Sequence, residues 1–163
     1  KNGNLVLKKN FEKLEFSINK CVKAKVKIIK KDEKDIRQRA LLNFGHTFAH
    51  AFERVSNYKS FSHGEAVAVG MLLAFKLSTQ LKFCHKNDLN RVTKHYDQLK
   101  LPKNIKYLLK NNTQTNKIVL AMKLDKKTIN NIITFILVKG VGKAFICDTV
   151  KEESLIKFLN ENI

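Results

Sequence analysis

At 163 residues with 44% hydrophobic content, the chain has the length and apolar content of one domain with a buried core. It begins at Lys1, with no signal peptide and no apolar run long enough to span a membrane, so a cytoplasmic protein is expected, cut from a longer one. Lysine and arginine number 32 against 14 acidic residues, net +18, but the lysines are spread over almost every segment rather than gathered into a groove-lining patch.

Proline occurs once and glycine six times, so long helices are the default. From about Asn10 to Ile29, Phe11, Leu14, Phe16, Ile18 and Val22 recur at roughly helical spacing. Lys30–Lys34 is a charged break, and a second helix is expected from about Asp35 to Val55. Asn57–Ser62 is a polar loop. Ser62-His63-Gly64-Glu65 then fits a capping box opening a third helix to about Leu81, with Val67, Met71, Ala74, Phe75 and Ser78 as its packing stripe. A fourth helix covers Asp88–Leu99 and stops at Leu101-Pro102. Short helices follow at Asn104–Lys110 and Thr115–Met122. The pattern then turns β-branched: Ile132–Val138, a Gly140-Val141-Gly142 turn and Ala144–Cys147 predict a hairpin, and Lys151–Asn160 a closing amphipathic helix. The fold class expected is mainly α, a multi-helix domain over 1–163 with one small antiparallel hairpin near 132–148. Phe11, Phe16, Phe52, Phe75 and Phe83 sit in apolar helical patterns and are expected in the core. Cys21, Cys84 and Cys147 are too far apart for a CxxC site and are expected as buried or inert thiols.

Two histidine segments carry the chemistry. His46 and His50 stand four apart on one predicted helix face, and His63 opens the next helix 17 residues after His46. Zinc accepts imidazole nitrogen, and a catalytic site commonly has three protein ligands and an open position. Spacing alone leaves two readings open, a metal centre or satisfied core histidines. Gly45 and Gly64 flank the histidines and leave room for a ligand to approach. Glu53 reads as a partner behind a ligand or as a surface residue, and Glu65 as the capping acid. Upstream, Lys25, Arg37, Arg39 and Asn43 gather. Arg39, Asn43, His46 and His50 would form one stripe of the second helix, suited to an anionic, oxygen-rich ligand near a metal.

Arg39-x-x-x-Asn43-Phe44-Gly45-His46-Thr47-x-x-His50-Ala51-x-Glu53, then His63-Gly64-Glu65-Ala66-Val67-Ala68-Val69-Gly70-Met71, resembles 3-dehydroquinate synthase, a sugar-phosphate cyclase. Asp125-Lys126-Lys127 ahead of the hairpin matches too. The resemblance runs from about Cys21 to the C-terminus and covers only that family's C-terminal helical domain. It implies conversion of the seven-carbon keto-sugar-acid phosphate DAHP to 3-dehydroquinate and phosphate in the shikimate pathway. The steps implied are oxidation by NAD, elimination of phosphate, reduction and aldol closure, with Zn2+ or Co2+ as metal. It implies His46 and His63 as metal ligands and His50 as an active-site histidine that is not a ligand. Lys25, Arg39, Asn43 and Lys126 would hold the substrate. The third ligand, a glutamate, and the NAD fold would lie before Lys1, so the chain alone is expected to be inactive. A homodimer is implied for the intact protein, without nucleic-acid or membrane partners. Asp35 stands where the family usually has Glu, and Ala49 where it has Gly. The alternatives are a related cyclase such as 2-deoxy-scyllo-inosose synthase, or a basic helical nucleic-acid-binding module.

Overall fold

A computed structural model describes residues 2–31, 38–109, 114–124 and 132–163. Among these, eight α-helices and one two-stranded antiparallel sheet are present, in agreement with the mainly α expectation. The helices are α1 (Gly3–Leu7), α2 (Phe11–Lys31), α3 (His46–Val55), α4 (His63–Gln80), α5 (Lys86–Leu99), α6 (Ile105–Leu108), α7 (Thr115–Lys123) and α8 (Glu152–Asn160). Strands β1 (Phe135–Val138) and β2 (Ala144–Cys147) pair with Phe135 opposite Cys147 and Val138 opposite Ala144. Asp35, Arg37 and the Asp125-Lys126-Lys127 segment lie outside the described residues.

The centre of the fold is α4. Its Ala66, Val69, Gly70, Leu72, Leu73, Ala74, Phe75, Leu77 and Ser78 are all buried, so it is covered on more faces than the expected stripe. Helices α3 and α5 and strand β1 pack on it, and α7 joins α3 to α8. Phe48 is the hub of the aromatic core, with ring centroids 5.3 Å from Phe135, 6.1 Å from Phe158 and 6.4 Å from Phe52. Polar groups in this interior are paired. The Ser78 hydroxyl donates to the Ala74 carbonyl at 2.6 Å and accepts the Val138 N–H at 3.0 Å, which fixes β1 on α4. The Tyr96 hydroxyl donates to the Ala68 carbonyl at 2.8 Å and fixes α5 there.

Three expectations are corrected. The second helix is not continuous: Arg39–Asn43 is a 3-10 turn, Phe44 is extended, Gly45 is left-handed at φ 82°, and α3 begins only at His46. The single stripe of Arg39, Asn43, His46 and His50 therefore does not exist. Gly45 makes the break because its missing side chain admits α4: a Cβ there would lie 2.6 Å from the Met71 nitrogen, and a Cβ on Gly70 would strike the Gly45 carbonyl oxygen. The openness expected at Gly45 is thus filled by α4, whereas a Cβ on Gly64 would meet open space. Among the phenylalanines, Phe52 and Phe75 are buried, but Phe11 is 80% exposed and Phe16 and Phe83 are exposed too. Helix α2 has the apolar periodicity of a packed helix, yet Phe11, Phe16, Ile18, Val22 and Val26 are all exposed. Cys84 and Cys147 are buried, while Cys21, also on α2, is exposed; all three are free thiols.

Candidate metal and substrate site

Two local devices bring the histidines together. The Gly45–Gly70 contact presses the start of α3 onto the middle of α4, so His46 and His50 emerge one turn apart beside that crossing. The capping box fixes the other end. Ser62 accepts the Glu65 N–H, and the Glu65 carboxylate accepts the Ser62 N–H at 2.8 Å, placing His63 as the first residue of α4. The Tyr107 hydroxyl donates to Glu65 at 2.7 Å, tying α6 to the same corner. The Ser62 N–H first, then the Tyr107 and Ser62 hydroxyls, hold the Glu65 carboxyl below its ordinary pKa. With both oxygens so used, Glu65 is a helix cap, as its spacing indicates.

The three rings form a triangle. Centroids are 5.3 Å apart for His46 and His63, 5.5 Å for His46 and His50, and 6.2 Å for His50 and His63. The Nδ1 atoms of both expected ligands face oxygen acceptors. That of His46 lies 3.2 Å from the Phe44 carbonyl, and that of His63 lies 2.7 Å from Glu53 Oε1. A carbonyl or carboxylate there calls for Nδ1–H, which leaves the Nε2 lone pair for a metal. The donor chemistry therefore fits a borderline cation such as zinc or cobalt. Among the described residues, no group of three or more His, Cys, Asp and Glu is arranged to hold a metal ion by itself.

Beside the rings opens a pocket of about 380 Å3, lined by His50, Glu53, Arg54, Tyr58, His63, Ala121 and Leu124. Sequence reading had not marked Arg54. It donates through Nη1 to the Leu124 carbonyl at 3.2 Å and so joins α3 to the end of α7. Its place four residues after His50, on the same helix face, is the signal that could have found it. Tyr58 reaches the pocket from a loop in which Asn57 and Tyr58 have φ of 54° and 59°.

Of the expected substrate contacts, Lys25, Arg39 and Asn43 are not among the residues that line this pocket. Asn43, on the 3-10 turn just before Gly45, spends its amide N–H on the Ala40 carbonyl at 3.2 Å. Arg39 is exposed at the head of that turn, and Lys25 is exposed on α2. Lys126 lies outside the described residues.

Comparison with known proteins bears on the family and the fold. A 3-dehydroquinate synthase of Endomicrobium trichonymphae is 41% identical over 152 residues, covering 91% of this chain and 40% of that relative. A crystal structure of 2-deoxy-scyllo-inosose synthase with carbaglucose-6-phosphate, NAD+ and Co2+ superposes with a TM-score of 0.72 at 25% identity, over 93% of this chain and 42% of that one. A 2-epi-5-epi-valiolone synthase from Streptomyces hygroscopicus subsp. jinggangensis 5008, bound to NAD+ and Zn2+, shares the fold with a TM-score of 0.73 at 20% identity, over 92% of this chain and 40% of that one. The chain thus spans well under half the length of these relatives. Residues 1–128 match the sequence pattern of the family described as 3-dehydroquinate synthase C-terminal, and the chain belongs to that family.

Proposed function

We propose that this chain is the metal- and substrate-binding part of a 3-dehydroquinate synthase, which turns DAHP into 3-dehydroquinate and phosphate with NAD and zinc or cobalt. The observation that carries the reading is the convergence of His46, His50 and His63 with both ligand Nδ1 atoms already engaged. His46 and His63 would hold the metal through Nε2, beside a third ligand from outside the chain. A bound divalent metal supplies Lewis-acid stabilisation of negative charge developing on substrate oxygen. His50, one turn from His46 and lining the pocket, is proposed to take and return a proton during the reaction. Lys25, Arg39, Asn43 and Lys126 are proposed to bind the carboxylate, hydroxyls and phosphate, so that the reacting atoms are oriented rather than merely attracted.

The protein is proposed to act as a cytoplasmic homodimer, with NAD held mainly by the part of the protein that this chain does not include. No helix among the described residues is long and apolar enough to cross a membrane. A second reading, a cyclase acting on a sugar phosphate without a carboxylate, draws support from the likeness to 2-deoxy-scyllo-inosose synthase. The 41% identity to a 3-dehydroquinate synthase favours the first.

The test is NAD-dependent phosphate release from DAHP by the protein in its natural length, with glucose 6-phosphate as the competing substrate. His63→Ala should lower the rate by about 100-fold or more while preserving the circular dichroism spectrum. Turnover of glucose 6-phosphate instead of DAHP would favour the second reading. Failure to release phosphate from either would reject both.

A further inference from the structure

We infer that Glu53 is a positioning residue for His63. The inference rests on the reading of His63 as a metal ligand and adds what makes that ring a ligand. The His63 side chain is 55% exposed, so packing alone does not fix its ring orientation or tautomer. The contact that does so is with Glu53, whose side chain is only 11% exposed and whose Oε1 lies 2.7 Å from Nδ1.

A buried carboxylate is held rigidly and needs a partner, and as an anion it only accepts. It therefore selects the Nδ1–H form of His63 and leaves the lone pair on Nε2. The two residues are 10 apart and bracket the 56–62 loop, so the bond also closes the α3–α4 corner on which the pocket depends. The division of labour is clear in the geometry. The capping box sets the backbone of His63, and Glu53 sets its ring.

For His46 the same service comes from a main-chain carbonyl, that of Phe44, which no side-chain substitution can remove. Glu53 is thus the point at which the tautomer of a proposed ligand is open to mutation.

The experiment uses the protein in its natural length and compares it with Glu53→Gln and Glu53→Asp. Glutamine keeps the volume but can donate or accept, so it no longer dictates the tautomer. Two readouts are taken: the His63 tautomer by 15N-resolved imidazole NMR of the metal-free protein, and Co2+ affinity by chelator competition. For Glu53→Gln, both tautomers should appear and Co2+ affinity should fall by about tenfold or more. Glu53→Asp keeps the charge on a shorter arm and should lie between glutamine and the unaltered protein. A single Nδ1–H tautomer with Co2+ affinity within twofold in Glu53→Gln would overturn the assignment. Absence of Co2+ binding by the unaltered protein would instead overturn the metal reading of the whole site, while the metal-free NMR would still decide whether Glu53 sets the ring.

Discussion

Gly45 and Gly64 flank the histidines symmetrically in the sequence, but they act differently. Around the first, α3 and α4 touch backbone to backbone: a Cβ on Gly70 would run into the Gly45 carbonyl, and a backbone oxygen cannot swing aside as a side chain can. Gly70→Ala is expected to cost about 3 kcal/mol of stability, and to weaken metal binding because His46 starts at that contact. Urea denaturation and Co2+ titration of the variant would check both effects. Gly64, by contrast, lies in the first turn of α4 with nothing within 4 Å of an added Cβ. Gly64→Ala should therefore stabilise the fold by about 0.5–1 kcal/mol, through the lower chain entropy of the unfolded state. If the open space beside His63 receives substrate, that variant should be more stable in urea yet show a raised KM. Unchanged KM would mean the space is merely solvent.

At the scale of elements, the sequence was legible wherever a signal was local. The Ser62–Glu65 box, the stop at Leu101-Pro102 and the β-branched run before the Gly140–Gly142 turn each contain their own cause, and each appears where expected. Two misreadings have a shared reason. The break before α3 is set by what α4 presents to Gly45, and the exposure of α2 by what lies beside it; neither is written in the element's own residues. Phe11, Ile18 and Val22 report a helix with one apolar face, and nothing in that periodicity says what the face meets. The candidate site follows the same rule. The motif marks the three histidines, whereas the spacing that puts Arg54 on the same face as His50 does not show its bond to Leu124, 70 residues away. Helix α5 is held to α4 by a contact with its own test. Burial holds the Tyr96 phenol in its neutral form and pushes its pKa up to about 12. Because the folded pKa is raised above the unfolded one, near 10, this contribution is intact below pH 10 and fades as pH rises through the folded pKa. Thermal stability should accordingly drop between about pH 10 and 12 in the unaltered chain, and drop less in Tyr96→Phe, which starts lower for want of the bond to Ala68.

For the whole molecule, the question is how much of a metal centre 163 residues contain. The net charge of +18 opposes binding of a cation rather than helping it, although dispersed lysines are screened beyond about 10 Å at ordinary salt. What remains is the proposed donor set: the His46 and His63 imidazoles with their Nδ1 atoms engaged, and no group of three or more His, Cys, Asp and Glu among the described residues arranged to hold an ion. A complete four-ligand zinc site contributes about 10–16 kcal/mol. Half of that set should contribute roughly half, about 5–8 kcal/mol, which corresponds to a dissociation constant of about 1–200 μM. The chain by itself should therefore lose its zinc on dialysis, retaining well under one equivalent by atomic absorption, and should release no phosphate from DAHP. The protein in its natural length should keep one equivalent through the same dialysis. Both results are needed, because weak binding by the chain alone would equally follow if His46 and His63 bound no metal at all. Stoichiometric zinc on the isolated chain would mean that the centre is completed from within these residues, and the proposed ligand from outside the chain would have to be abandoned.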